Sequence, residues 1–82
     1  MGSVLAFPVG SPTDIAVGAR IRLWRGKRGM EQAELAQLLH MSTADIRMIE
    51  AGRRHLAMAE IDATTRALRL PIWALVTDTA SG

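Results

Sequence analysis

Arg20, Arg22, Arg25, Lys27 and Arg28 crowd one short segment, and Arg53, Arg54 and His55 form a second basic cluster. Cations at that density suit a polyanion, either DNA or an acidic membrane surface, unless they simply line a solvated helix face. The signal is one of placement, because ten Lys and Arg against eight Asp and Glu leave a net charge of only +2. Other chemistries find little to work with. Cysteine is absent, which excludes disulfides, zinc–thiolate sites and thiol nucleophiles. The two histidines, His40 and His55, have no carboxylates at metal-ligand spacing, so no metal site is expected. His40 reads as a turn residue and His55 as a loop residue within reach of a phosphate. No Ser/His/Asp grouping and no glycine-rich phosphate loop is present, so neither an enzyme nor a cofactor is expected.

The elements that must carry these cations are short. Eighty-two residues can bury one modest core. No apolar run approaches the roughly 18 residues of a membrane span. The opening MGSVLAFPVG is proline-broken and lacks a charged leader, and Ala6 stands where a myristoylation signal needs Ser or Thr. A soluble, cytoplasmic protein is the expectation.

Residues 1–10 read as an arm. SPTD then gives a helix start, with Ser11 as cap, Pro12 in the first turn and Asp14 three residues past the cap. Ile15, Val17, Ile21 and Trp24 follow at helical spacing, and Gly26 and Gly29 bracket the exit. A second helix is expected over 31–39, carrying Leu35, Ala36, Leu38 and Leu39. A third opens at Ser42, with Asp45 completing a capping box, Ile46 and Ile49 as its apolar stripe, and Gly52 as its left-handed stop. A fourth spans about 57–68, with Ile61, Thr64, Ala67 and Leu68 at core spacing. Pro71 starts a fifth that ends near Val76. The reading is an all-α domain of five short helices over 11–77, followed by a tail over 78–82.

Four pieces in order, ARIRLWR, GMEQAELAQLL, MSTADIRMIEAGRR and ALRLPIWAL, resemble the lambda-repressor-like helix-turn-helix domain of the Xre/Cro type. The resemblance runs from about Val17 to Val76. It implies a compact five-helix fold with the helix-turn-helix at helices two and three, and double-stranded DNA as partner. The residues reading base edges then fall on Thr43, Ala44, Arg47 and Met48. Arginine can pair with guanine in bidentate fashion, and the methyls of threonine and alanine can meet a thymine methyl; Arg47 could instead touch a phosphate. Phosphate contacts fall on Gln32, Arg53 and Arg54. Arg25 and Glu50 match a structural ion pair.

Four features, over five positions, depart from the family pattern. Glu31 stands where helix two usually has Ser or Thr, and Leu56-Ala57 replaces a Pro-Ser-like pair before helix four. His40 and Arg69 replace glycines after helices two and four. Each weakens a local cap by about 0.5–2 kcal/mol while leaving the core stripes intact. If the turn keeps the family geometry, His40 must take left-handed dihedrals.

The expected function is therefore a sequence-specific DNA-binding transcriptional regulator, a repressor acting as a homodimer on a near-palindromic operator. Ile72, Trp73, Leu75 and Val76 hold more apolar surface than one short helix needs for the core, and are the expected dimer surface. Val4, Leu5 and Phe7 of the arm could extend it. The other class of function open to this sequence is a protein-interaction module that keeps the fold without reading bases.

Overall fold

Ser11 opens the first helix as its type predicts: its Oγ accepts the Asp14 N–H at 3.2 Å. Pro12 takes the first turn, where no intrahelical partner for an N–H is needed. The computed structural model describes residues 11–80. They form α1 (Pro12–Lys27), α2 (Gln32–Leu38), α3 (Thr43–Glu50), α4 (Met58–Leu68) and α5 (Trp73–Ala80), with no strand among the described residues. The expected arm over 1–10, including Val4, Leu5 and Phe7, lies outside the described residues, as do the last two residues of the expected tail. The fifth helix runs on to Ala80, past the end expected near Val76.

One core serves all five helices. It joins Val17 and Ile21 of α1, Leu35 and Ala36 of α2, Ile46 and Ile49 of α3, Ile61 and Leu68 of α4, and Leu75 of α5, with Leu56 added from the loop before α4. Ile15 falls off this stripe and is 52% exposed, so the helical spacing placed it one position too far round α1. Leu38 is likewise exposed. On α4 the stripe runs through Thr64 and Thr65, both buried, while Ala67 is only half-buried. Their hydroxyls donate to the carbonyls of Glu60 and Asp62, each at 2.7 Å, which satisfies two polar groups that would otherwise be costly to bury.

The first four helices end in the same way. A left-handed residue closes each, and the N–H of the following residue reaches back to a carbonyl five residues earlier. The left-handed positions are Gly29, His40, Gly52 and Arg69, with φ of 65°, 56°, 75° and 60°. The bonds run from Met30 to Arg25, Met41 to Ala36, Arg53 to Met48 and Leu70 to Thr65, at 2.8–3.0 Å. His40 therefore keeps the turn without glycine, at a conformational cost of about 1 kcal/mol. Arg69 bears a similar cost. The starts are equally economical. Glu31 and Ala57 have no hydroxyl to offer, but their own N–H groups donate to the carboxylates of Glu34 at 3.1 Å and Glu60 at 2.9 Å.

Two arginines of α1 and a third at its C-cap knit this frame together. Arg20 donates to the Leu75 carbonyl at 3.1 Å. Arg28 donates to the carbonyls of Leu68 and Arg69 at 2.8 and 3.2 Å, closing the end of α4 from another helix. Its guanidinium also lies 5.5 Å from the Trp24 ring, beside Lys27 at 5.7 Å. The remaining one, Arg25, belongs to the site.

Candidate nucleic-acid interface

Helix α3 is held from beneath and bare above. Ser42 Oγ accepts the Asp45 N–H at 3.0 Å, and the Ser42 N–H donates to the Asp45 carboxylate at 3.2 Å. Both halves of the capping box thus fix where the helix starts. Ile46 and Ile49 are 1% and 2% exposed and anchor it to the core. The opposite face carries exposed Ala44, Arg47 and Met48, with Thr43 half-buried in the first turn. Its apolar anchor is narrow enough to leave those side chains clear of their own domain.

The depth at which α3 sits is set by a residue that spacing arguments passed over. Gly18 packs against the α3 backbone, and a Cβ there would lie 2.1 Å from the Ile49 carbonyl oxygen. The two helices meet backbone to side-chain-free backbone. A glycine inside an otherwise helical pattern is the signal that could have found it, because such a glycine costs about 1 kcal/mol unless close packing requires it.

Arg25 and Glu50 come together across the α1–α3 contact. Arg25 Nε donates to Glu50 Oε2 at 2.6 Å and a terminal nitrogen donates to Oε1 at 3.1 Å, a two-point pairing. The other terminal nitrogen donates to the Met30 carbonyl at 2.7 Å. The Glu50 side chain is 5% exposed and that of Arg25 is 16% exposed. The hydrogen bond to Glu50 raises the Arg25 pKa above its ordinary value, against the opposing effect of burial. Gln32, at the start of α2, donates its side-chain amide to Glu50 Oε1 at 3.1 Å. One carboxylate therefore orients both the α1 arginine and the first residue of the helix-turn-helix.

The second basic cluster divides. Arg53 is exposed. Arg54 turns back to Glu60, with contacts of 3.1 and 3.4 Å, and His55 Nδ1 lies 2.9 Å from Asp14 Oδ1. Hydrogen bonds from Arg54 and then from the Ala57 N–H hold the Glu60 carboxyl below its ordinary pKa. A depressed carboxylate contributes stability above the unfolded-state value and loses it as pH falls through the folded value. Glu60→Gln is thus expected to destabilise at pH 7, with the gap to the parent protein narrowing as pH falls below the ordinary carboxylate range. Urea titrations at pH 7 and below that range measure it; a gap unchanged between them would sink the assignment.

At the other end of the domain, Trp73 is 64% exposed and Ile72 is 38% exposed, while Val76 is half-buried. Leu75 differs. It has no exposed area, because it fills the core between α1 and α4, so it cannot contribute surface to a partner. The apolar surface expected at this end reduces to Ile72, Trp73 and the rim of Val76.

Two helices joined by a tight left-handed turn, the second capped at Ser42 and bare on its outer face, define a helix-turn-helix. Residues 16–73 match the helix-turn-helix domain family, and the chain belongs to it, in the lambda-repressor-like form that its motifs resemble. An HTH-type transcriptional regulator of Sinorhizobium medicae is 32% identical over 62 residues, covering 76% of this chain and 45% of the relative. A second regulator of that type, from Rhizobium meliloti, matches to the same extent. The chain thus spans a little under half the length of these curated relatives. Among solved structures, the clp gene regulator ClgR of Corynebacterium glutamicum superposes with a TM-score of 0.79 at 23% identity, covering 90% of this chain and 78% of that one. The restriction-modification controller protein C.AhdI of Aeromonas hydrophila gives 0.74 at 25% identity, covering 79% and 98%. These relatives are regulators, not enzymes. No helix among the described residues is long and apolar enough to cross a membrane.

Proposed function

We propose that this chain is a sequence-specific double-stranded DNA-binding transcriptional regulator, with α3 as the helix that enters the major groove. The observation that carries this reading is the two-sided character of α3: buried Ile46 and Ile49 beneath, exposed Ala44, Arg47 and Met48 above. Arg47 reads guanine, Thr43, Ala44 and Met48 set apolar and methyl contacts, and Gln32 and Arg53 address the backbone. Arg54, engaged by Glu60 through its two terminal nitrogens, keeps further N–H groups to offer a phosphate. The curated relatives support the reading, since both are transcriptional regulators. The finer form is a repressor acting as a homodimer on a near-palindromic operator, its subunits meeting through Ile72, Trp73 and Val76, because one helix reads only a few base pairs.

Selection of bound duplexes from a random-sequence pool tests this. A common half-site, repeated in inverted orientation about one helical turn away, is the expected result. Against the selected duplex, Arg47→Ala should lose about 1–3 kcal/mol of binding while non-specific affinity falls much less. A pool that yields no enriched sequence would remove the base-reading assignment and leave the protein-interaction reading.

A further inference from the structure

Helix α1 is apolar on two sides. Its inner side, through Val17 and Ile21, belongs to the core. Its outer side carries Pro12, Ile15, Ala19, Leu23 and Gly26 at steps of three and four residues, all exposed, with no charge in the line. Ile15 and Leu23 are 52% and 53% exposed. Ala19, Leu23 and Gly26 line an open hollow of about 600 Å³ between Arg22 and Lys27. A surface helix ordinarily turns charge toward solvent, and one that is apolar all round is covered by something.

We propose that the cover is the chain's own N-terminal segment: residues 1–10 fold back at Gly10 and lay Val4, Leu5 and Phe7 along this stripe. Those residues lie outside the described ones, and three observations point to them. The first is chemistry. The segment MGSVLAFPVG is mostly apolar and holds no charged side chain, which matches the stripe. The second is reach. Ala19 and Leu23 lie about 12 and 18 Å beyond Ser11 along the helix. Leu5 and Val4 precede Ser11 by six and seven residues. Extended, those spans reach about 20 and 23 Å, which leaves room for a reversal through Pro8 and Gly10. The third is charge at the borders. Arg22 flanks the stripe on one side, Arg20 and Lys27 on the other. Asp14, the acid of α1, is turned inward against His55, its side chain 10% exposed. A second copy laid on this stripe would set cations against cations, whereas an uncharged, tethered segment meets no such cost.

The test uses the full chain, whose lack of cysteine lets an introduced pair report proximity without interference. Leu5→Cys with Ala19→Cys should close an intramolecular disulfide under mild oxidation, seen by intact mass as a monomer lighter by two hydrogens. Leu5→Cys with Gln37→Cys, on an exposed face of α2, should not. Leu23→Ala should lower the melting temperature by about 4–8 °C. That loss should vanish once Leu5 and Phe7 have been changed to serine, because both changes remove the same contact. A bare stripe behaves otherwise: there, Leu23→Ala is neutral or slightly stabilising, alanine being the better helix former. That result overturns the proposal, as does cross-linking no faster than in the Gln37 control. A covalent dimer as the main product, with a Leu23→Ala loss that shrinks on dilution, also overturns it and gives the stripe to a second copy.

Discussion

Glu50→Ala is expected to lower stability by about 3–5 kcal/mol, the cost of leaving a buried charge without its partner. The side chain lost is 5% exposed and accepts three hydrogen bonds, two from Arg25 and one from Gln32. Alanine would strand the Arg25 guanidinium, which is itself mostly withdrawn from water. Urea unfolding measures the loss; a cost below about 1 kcal/mol would mean that solvent satisfies Arg25 readily. The reversed pair, Arg25→Glu with Glu50→Arg, should recover part of either single loss. Full recovery is not expected, because Arg25 also serves the Met30 carbonyl and Glu50 also holds Gln32. Since Gln32 begins the helix-turn-helix, DNA affinity should fall in Glu50→Ala even where the protein remains folded.

The second large effect belongs to Gly18→Ala. A single methyl would have to occupy space 2.1 Å from the Ile49 carbonyl oxygen and 3.2 Å from that of Glu50. Both are backbone atoms of a helix, so no side-chain rotation can make room, and α1 and α3 must separate. We expect a loss of about 3 kcal/mol, reduced little by the better helix propensity of alanine, and a fall in melting temperature of roughly 10–20 °C. Gly26→Ala is the internal control. It lies on the same helix with nothing within 4 Å of the new methyl, and it should be neutral or stabilising by up to about 1 kcal/mol. Equal melting temperatures for the two variants would show that α1 does not approach α3 as closely as described.

What was legible in the sequence is local. Caps, stops and short apolar stripes act over one turn, and SPTD, Ser42 with Asp45, and the Ile46–Ile49 pair each declared an element or a face. His40 could be read only through the family resemblance, which places a glycine there, and its φ of 56° is the left-handed value. What depends on two distant elements meeting was legible only where the family resemblance supplied it, as for Arg25 and Glu50. Gly18 acts through a helix 31 positions away (Gly18 against Ile49), and no residue near it signals the contact beyond its own lack of a side chain. Basic clustering could not tell a tethered arginine from a free one, because Arg20, Arg28 and Arg54 find partners set by tertiary packing. Leu75 was read as surplus surface for a similar reason. A five-helix core closes only when its last helix is counted as part of it.

That closure bears on when the domain can form. Helix α1 packs more extensively on α5 than on any other helix, and Arg20 reaches the Leu75 carbonyl across 55 positions of chain. The segment that would touch DNA lies between these two ends. A growing chain can therefore complete α2, the turn and α3 well before the partner that steadies α1 has been synthesised. Until Leu75 emerges, part of the apolar face of α1 has nothing to cover it. The core-facing side of α1 therefore gains its full cover only once Leu75 has been made, after α2, the turn and α3.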